Sequence, residues 1–273
     1  MSHLNLLFPQ WQGSGRTKEL YYGALSIKEA FCLDSNFKEI EINDNDNIMV
    51  ENDILGHKEI MEQLNDATQL VNTIAPSTIF TIGGGCDVEI APVSYLNKKY
   101  DGNLSIIWFD AHGDLNTPTS SQSKKFHGMP LRTLLGEGNQ NLIQQCFSKI
   151  SASQLILIGV RDLDISEEVY INENKIVTLP VDCIEESTIT ELINRNKFDN
   201  VYIHIDLDVL EPKIFPSVMC PTPKGIDFDR LLNILDYINN NYNIVGLSLL
   251  EYSPIKGDNI NKLKYIVDLG VNL

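Results

Sequence analysis

The chain has 273 residues, a formal net charge of -16 and a pI near 4.6, which argues against nucleic acid and anionic membranes as partners because both are polyanions. No apolar run approaches the roughly 20 residues that span a bilayer. Five cysteines without CxxC spacing, and no N-terminal signal pattern, predict a reducing, cytoplasmic location. The length fits one large domain or two small ones, and we expect a single domain over residues 1–273.

Strands and helices alternate along the predicted chain. In the first half, the patterns predict a strand at 4–8, a helix at 19–31, a small strand at 40–42, a helix at 54–75, a strand at 78–82, a helix at about 89–99 and a strand at 104–109. In the second half, they predict a helix at 141–149, strands at 155–160 and 176–179, a helix at 188–196 with Ser187 as its N-cap, a strand at 201–205, a helix at 229–240 and a last strand at 244–250. This alternation predicts an α/β fold, a three-layer α/β/α sandwich around a central, mainly parallel sheet.

Three polar residues follow the strand at 104–109. This strand is apolar on both faces, as a central strand covered by two helix layers would be. Asp110, His112 and Asp114 come directly after it, at the end of the strand where open α/β sheets bind ligands. Two carboxylates and an imidazole this close would suffer repulsion and desolvation if buried, whereas a divalent metal offsets both. A solvated loop is the alternative for this triplet alone.

A second pair of carboxylates makes the metal site the better interpretation. The strand at 201–205 ends in Asp206 and Asp208, again one residue apart. A third strand end is rich in glycine, from Gly83 to Gly85, but it matches neither the dinucleotide-binding nor the Walker phosphate loop. Several strand ends that carry acidic or glycine-rich segments predict an active site along one rim of the sheet.

Together these blocks resemble the ureohydrolase family of arginases, agmatinases and their relatives, and the match covers most of the chain. The segment from Asp110 to Asp114 resembles the family's DAHxD motif, and Asp206-Leu207-Asp208 resembles its DxD motif. Glu251 stands where the family has a guanidinium-binding glutamate. The segments Asn116-Thr117-Pro118 and His127-Gly128-Met129-Pro130 are similar to the arginase branch in particular.

The resemblance implies two Mn²⁺ ions, with one departure at the first of them. The ligands of that ion would be Cys86, Asp110, Asp114 and Asp206, and those of the other would be Asp110, His112, Asp206 and Asp208. Cys86 replaces the family's histidine, and Gly85 replaces the preceding aspartate. A thiolate favours zinc, iron or cobalt, whereas manganese prefers oxygen and imidazole. The altered position could therefore hold an unusual metal, hold one weakly or hold none; Asp87 could be the ligand instead, or Cys86 a buried packing residue.

The resemblance also implies hydrolysis of a guanidino group by a metal-bridging hydroxide, most simply L-arginine to L-ornithine and urea. Asp114 would handle the proton of that hydroxide, Glu251 would pair with the guanidinium, and His127 would shuttle a proton to the leaving amine. Asn116, Ser121 and Ser123 match positions that hold the α-carboxylate, and Asp164 matches the one that binds the α-amino group.

Three further questions stay open at this point. Lys124-Lys125 replaces the family's Gly-Asn, so these lysines could retain carboxylate binding through charge, select another acid group or be a solvated surface. The alternative functions are an agmatinase or other guanidino-acid hydrolase, or a metal-impaired homologue with a binding or regulatory role. Family members are often homo-trimers or hexamers, which implies a homo-oligomer here.

Overall fold

An eight-stranded sheet organises the computed structural model, which describes residues 2–32, 36–195 and 197–273. The strands are β1 (His3–Phe8), β2 (Phe37–Glu39), β3 (Val50–Glu51), β4 (Ile54–Leu55), β5 (Thr78–Gly83), β6 (Leu104–Phe109), β7 (Leu155–Ile158), β8 (Val177–Leu179), β9 (Asn200–Asp206) and β10 (Asn243–Leu250). The large sheet has the order β2-β1-β5-β10-β9-β6-β7-β8, and every pair in it is parallel. Only β3 and β4 lie outside it, as an antiparallel pair.

Helices cover both faces of the sheet. They are α1 (Glu19–Phe31), α2 (His57–Ile74), α3 (Ile90–Lys99), α4 (Pro130–Leu134), α5 (Gln140–Ile143), α6 (Ile165–Asn174), α7 (Glu186–Asn194), α8 (Phe228–Asn241) and α9 (Lys264–Val271). Neighbouring residues of β6 belong to two different apolar clusters: Ile106 lies in one that contains residues of α2 and α3, whereas Ile107 lies in one that contains residues of α1, α7, α8 and α9. The predicted α/β/α sandwich is therefore confirmed. None of the helices in the described part of the chain combines the length and hydrophobicity of a membrane-spanning segment.

Two predictions in the first half were wrong in placement. The small strand is at Phe37–Glu39 rather than 40–42, because β2 pairs with β1 through these residues, and Ile40 adds only one further backbone hydrogen bond to Leu7. The helix predicted from residue 54 begins at His57, because Ile54–Leu55 forms β4. Gly56, in the left-handed conformation with φ of 70°, separates that strand from α2.

In the second half, three bounds of helices or strands and one helix N-cap differ from the predictions. The helix predicted at 141–149 ends at Ile143, because the following residues turn to bond Ser94 of α3 through Phe147 N and Ser148 Oγ. The strand predicted to end at 160 ends at Ile158, where the chain turns through Gly159 with φ of 92°. Helix α7 begins at Glu186, so Ser187 lies inside it and is not its N-cap. The predicted end of this helix, Asn196, lies outside the described residues. Helices α4, α6 and α9 were not predicted.

The order of the strands determines where the site forms. Four adjacent strands, β5, β10, β9 and β6, occupy the middle of the sheet and run in the same direction. Their carboxyl ends lead into Cys86, Glu251, Asp206 and Asp110 respectively. Residues from distant parts of the sequence therefore meet along one rim, as parallel α/β sheets generally arrange their ligand sites.

Candidate metal centre and cleft

Three overlapping groups of metal-binding side chains form along this rim. Within each group, one ligand atom from every member lies within 4.8 Å of the others. The groups are Asp110, His112 and Asp208; Cys86, Asp206 and Glu251; and Cys86, Asp110, Asp114 and His204. The structure thus brings together every residue that the sequence predicted as a metal ligand, and it adds His204 and Glu251.

Hydrogen bonds fix the group of Asp110, His112 and Asp208. The backbone N–H of His112 donates to Asp110 Oδ1 at 2.6 Å, and that of Ala111 donates to Asp208 Oδ1 at 3.0 Å. His112 Nδ1 lies 2.9 Å from Asp208 Oδ2 and 3.5 Å from Asp110 Oδ1. Two carboxylate oxygens and one imidazole nitrogen therefore converge on one point.

Burial makes this concentration of negative charge unfavourable. Burial raises the pKa of Asp114 well above its ordinary value, and the nearby charge of Asp110 raises it further. Burial and the same neighbour raise the pKa of Asp208 to about 6. Asp110 differs: burial opposes its charge, but the nearby imidazoles of His112 and His204 outweigh that effect and lower its pKa.

A divalent cation fits this chemistry. Asp114 is 3% exposed, and its Oδ2 atom is buried without a hydrogen-bond partner among the described residues. Buried carboxylate oxygens without donors are costly, and a metal ion both neutralises their charge and satisfies their lone pairs. The oxygen and imidazole donors of Asp110, His112 and Asp208 suit a hard or borderline ion such as Mn²⁺.

Cys86 and Asp87 point in different directions. Cys86 is 1% exposed, and its Sγ lies 3.2 Å from Asp206 Oδ2. Cys86 belongs to two of the three groups. Asp87 belongs to none of the groups found among the described residues. Its carboxyl group faces Gly13, where a Cβ would lie 2.3 Å from Asp87 Oδ2. Burial raises the pKa of Asp87 to about 7. Of the two, Cys86 is the one directed at the candidate centre.

His204 is the residue that the sequence analysis missed. It is fully buried in β9, two residues before Asp206, so the alternation of a strand directs both side chains to the same face. Its Nε2 lies 3.7 Å from Cys86 Sγ and 3.8 Å from Asp110 Oδ2. The available signal was a histidine inside an apolar central strand, since such strands are otherwise hydrophobic.

Glu251 forms the base of the site. It follows β10 with a φ of 60°, a conformation that non-glycine residues seldom adopt and that is enriched at functional sites. Its Oε1 accepts hydrogen bonds from Cys86 N at 3.2 Å and Ser14 Oγ at 3.2 Å, and it lies 3.0 Å from His127 Nδ1. Burial lowers the pKa of His127, but the charge of Glu251 outweighs this effect and raises it. Glu251 and His127 were both predicted as site residues from the sequence, whereas Ser14 was not.

A cleft of about 230 Å³ opens onto the centre. Its walls contain four candidate ligands, His112, Asp114, Asp206 and Asp208, and the predicted proton shuttle His127. They also contain three of the five predicted substrate-binding residues, Asn116, Ser123 and Asp164, together with Gly128, Asp162, Glu167 and Cys220, which were not predicted as site residues. Ser121 is not part of the wall: it is buried behind Ser123, and its Oγ accepts from Lys124 N.

Asp164 and Asn116 form a hydrogen-bonded pair in the cleft wall. Asn116 Nδ2 donates to Asp164 Oδ2 at 2.8 Å. Asp164 is also the N-cap of α6, in a capping box with Glu167. Glu167 in turn accepts from Leu115 N at 2.9 Å, which connects the helix to the loop after β6. Lys124 does not reach this pair, because its Nζ bonds the carbonyl of Pro118.

Comparison with known proteins identifies the family of the chain. Residues 17–266 match the sequence profile of the arginase family. An arginase of Staphylococcus aureus is 32% identical over 222 residues, which cover 76% of this chain and 73% of that protein. The crystal structure of arginase from Bacillus subtilis has a TM-score of 0.83 at 26% identity and covers 99% of this chain and 97% of its own.

A second structural relative is similar in fold alone. The structure of Entamoeba histolytica arginase in complex with L-ornithine has a TM-score of 0.86 at 20% identity, and the match covers 98% of this chain and 97% of that one. Together with the sequence profile, which spans nearly the whole chain, these relatives assign the protein. The chain belongs to the arginase family, whose members are metal-dependent hydrolases that act on guanidino groups.

Proposed function

We propose that the protein hydrolyses L-arginine to L-ornithine and urea and that it uses Mn²⁺. The observation that carries this proposal is the cleft, in which the acidic candidate centre and the Asn116–Asp164 pair line the same small volume. A substrate with a guanidinium at one end and an amino acid group at the other fits such a cleft. The S. aureus relative is named an arginase, and the E. histolytica structure contains L-ornithine, the product of this reaction.

The metal ions would be held by the carboxylates and the imidazole of the three groups. Asp110, His112 and Asp208 form the more conventional group, which Asp206 would complete by resemblance to the family, and Cys86 and Asp114 belong to other groups. When bound, divalent ions supply the Lewis acidity that makes water reactive at neutral pH toward the poorly electrophilic guanidinium carbon.

Glu251 would orient the substrate. Its Oε1 is already occupied by Cys86 N, Ser14 Oγ and His127, which leaves Oε2 as the oxygen for the guanidinium. A carboxylate and a planar guanidinium form strong, directional hydrogen bonds. A carboxylate fixed at one oxygen holds the guanidinium carbon in one place, and such positioning is a large part of catalysis.

Two residues would move protons. Asp114 would accept a proton from the attacking water; this role is supported by its Oδ2, which has no hydrogen-bond partner among the described residues. His127 has its Nδ1 against Glu251 and lines the cleft, so Nε2 is the atom that would protonate the leaving amine. The raised pKa of His127, caused by the charge of Glu251 against the opposing effect of burial, favours the protonated form that this role requires.

Substrate choice would depend on the far end of the cleft. The α-amino group of arginine would bind Asp164, and its α-carboxylate would bind near Asn116 and Ser123; Ser121 would act only through Ser123. Agmatine lacks the carboxylate and so forms fewer of these contacts.

Urea release should be measured over arginine, agmatine and other guanidino acids in the presence of Mn²⁺. A kcat/KM that is higher for agmatine than for arginine would contradict the proposal but leave the reaction class intact.

We also propose a homo-oligomer, a trimer or hexamer by resemblance to the family. The apolar side chains of Ile165 and Val169, which are 81% and 48% exposed and lie one turn apart on α6, would be covered in such an assembly. Light scattering after size-exclusion chromatography should give three or six times the mass of one chain. The mass of a single chain would contradict this assembly.

A further inference from the structure

The ring of His204 is held in one orientation by its neighbours. His204 is paired with Trp108 across β9 and β6, and the two rings stack with centroids 3.5 Å apart at 5°. His204 Nδ1 lies 3.2 Å from Glu89 Oε1, and Glu89 Oε2 accepts from the hydroxyl of Tyr202 at 2.5 Å. Glu89, Trp108, Tyr202 and His204 are all fully buried.

This arrangement leaves one ring nitrogen available. A neutral His204 that donates from Nδ1 to Glu89 has its lone pair on Nε2, the nitrogen that lies near Cys86 and Asp110. A buried carboxylate that holds one nitrogen of a histidine, so that the other can bind an ion, recurs at metal sites in proteins. The 3.8 Å from Nε2 to Asp110 Oδ2 exceeds a normal hydrogen-bond distance, and the 3.7 Å from Nε2 to Cys86 Sγ is long even for a contact with sulfur.

The same distances match those between ligands that share a metal ion. With a metal–sulfur distance of about 2.3 Å and a metal–nitrogen distance of about 2.0 Å, tetrahedral ligands lie roughly 3.5 Å apart. Ligand atoms of Cys86, Asp110, Asp114 and His204 all lie within 4.8 Å of one another. Asp114 belongs to this group too, and its Oδ2 is buried without a hydrogen-bond partner among the described residues. The four side chains thus have the composition and spacing of a four-ligand metal site.

We propose that His204 supplies the imidazole that Cys86 displaces, so that Cys86, His204, Asp110 and Asp114 form a thiolate–imidazole position for a borderline divalent ion of the Zn²⁺ and Co²⁺ class. This inference rests on the proposed metal-dependent function and specifies one of its two metal positions. A thiolate ligand disfavours Mn²⁺, which prefers oxygen and nitrogen donors. The centre would then be mixed, with a soft position at Cys86 and a harder one at His112 and Asp208.

Cobalt tests this inference by spectroscopy and without an activity assay. Co²⁺ should be titrated into the metal-free protein while the absorption spectrum is recorded, because a thiolate bound to Co²⁺ gives a charge-transfer band in the near ultraviolet. Wild type should show this band, and Cys86→Ser should lose it. Cys220→Ser is the matched control, because Cys220 lines the cleft but belongs to none of the three groups; this variant should keep the band.

Two variants test the role of His204. His204→Phe keeps a ring that can stack on Trp108 but has no nitrogen, so the band should remain while the visible cobalt spectrum changes and Co²⁺ binds at least tenfold more weakly. Glu89→Gln removes only the charge behind the imidazole and should weaken Co²⁺ binding by about 10- to 100-fold, the usual effect of losing an outer-shell partner. His57→Gln, at a buried histidine in α2, should change neither property.

The outcomes separate this inference from the proposed function. Wild type without a thiolate band, or His204→Phe with the wild-type spectrum and affinity, would refute the His204–Cys86 position. Should His204→Phe fail to fold, Glu89→Gln with unaltered Co²⁺ affinity would refute it equally. A protein that releases urea from arginine but shows no such band would retain its proposed activity and lose this site. A protein that shows the band, and loses it in Cys86→Ser, but hydrolyses no guanidino compound would retain this site and lose its proposed activity.

Discussion

Asp208 connects the two sides of the candidate centre. Its Oδ1 accepts from the backbone of Ala111 after β6, and its Oδ2 faces His112 Nδ1 at 2.9 Å. The residue itself follows β9, so one carboxylate bridges two neighbouring strand ends. Its pKa is raised to about 6, because burial and the charge of Asp110 outweigh the opposing effect of the nearby His112 imidazole. A metal ion beside Asp208 would supply the further positive charge that favours its ionised form.

We therefore predict that Asp208→Asn loses metal but not fold. The amide oxygen can still accept from Ala111 N, but the negative charge is lost, so the bound metal per chain should fall and thermal unfolding should change little. Metal content by mass spectrometry and the unfolding curve measure both effects. Asp162→Asn is the control, because Asp162 lines the cleft with a 67% exposed side chain and belongs to no metal group. Equal metal content in the two variants would contradict the assignment.

Whether a site residue could be predicted from the sequence depended on where it lies relative to a strand. Asp110, His112 and Asp208 were predictable because they follow apolar strands, where a change from hydrophobic to charged residues marks the carboxyl rim. His204 was missed, because it lies inside a mostly apolar strand and does not follow one. Ser14 was not predictable either, since nothing local indicates that its hydroxyl meets a carboxylate 237 residues away.

Helix α6 and the cleft share Asp164. The carboxylate caps the helix in a capping box with Glu167 and also accepts from Asn116 in the cleft wall. A change at this residue therefore affects the helix and the ligand site together, and an alanine variant would confuse the two. Serine is as good an N-cap as aspartate but carries no charge.

We predict that Asp164→Ser keeps α6 and weakens arginine selectively. The loss of a hydrogen bond to a charged group should lower kcat/KM for arginine by about 10- to 100-fold, since such bonds contribute about 1.5–3 kcal/mol. The value for 5-guanidinopentanoate, which is arginine without its α-amino group, should change much less if the Asp164 carboxylate binds that amino group. Asp227→Ser, at the N-cap of α8, is the matched control and should leave both substrates unaffected. Equal losses for arginine and 5-guanidinopentanoate would argue against this role.

The turn after β5 depends on a close backbone contact at Gly84. A Cβ there would lie 1.7 Å from the carbonyl oxygen of Gln10, and Gly84 O accepts from Glu251 N at 2.9 Å. Gly84→Ala should push the ends of β1, β5 and β10 apart and destabilise the protein by about 1–3 kcal/mol or more. Gly128→Ala is the control, because its Cβ would meet nothing within 4 Å. Equal unfolding free energies for both variants in a urea titration would contradict this account.

Element bounds were predicted best where the apolar pattern is long and uninterrupted. Strand β6 and helix α1 agree residue for residue with the prediction, because β6 is buried on both faces and α1 has a regular apolar stripe. Helix α5 is short because the chain after it bonds to α3, and a tertiary contact of this kind leaves no local pattern. Helix α6 was not predicted, although Asp164 and Glu167, three residues apart, are a capping-box signature.

At the scale of the whole molecule, metal binding and stability should be coupled. The buried carboxylates repel one another, and an ion that binds only the folded chain stabilises it by about 2.7 kcal/mol at a free concentration 100 times its dissociation constant. Adding metal to chelator-treated protein should raise Tm by about 5–10 °C for a chain of this size. Calorimetry with and without metal measures the change, and Asp208→Asn should reduce it. An identical Tm in chelator and in excess metal would exclude a tight site.

The position of β10 has a consequence for how the protein is made. This strand comes late in the chain, yet it lies between β5 and β9, so it separates the strand that leads to Cys86 from the one that ends in Asp206. While the ribosome is still adding the residues before 243, the two ligand-bearing strands have no sheet to join them. The centre can therefore form only once β10 has been made, and contacts between such distant segments form slowly. Any ions that bind there bind after that step, so the ions available at that time would compete for the site.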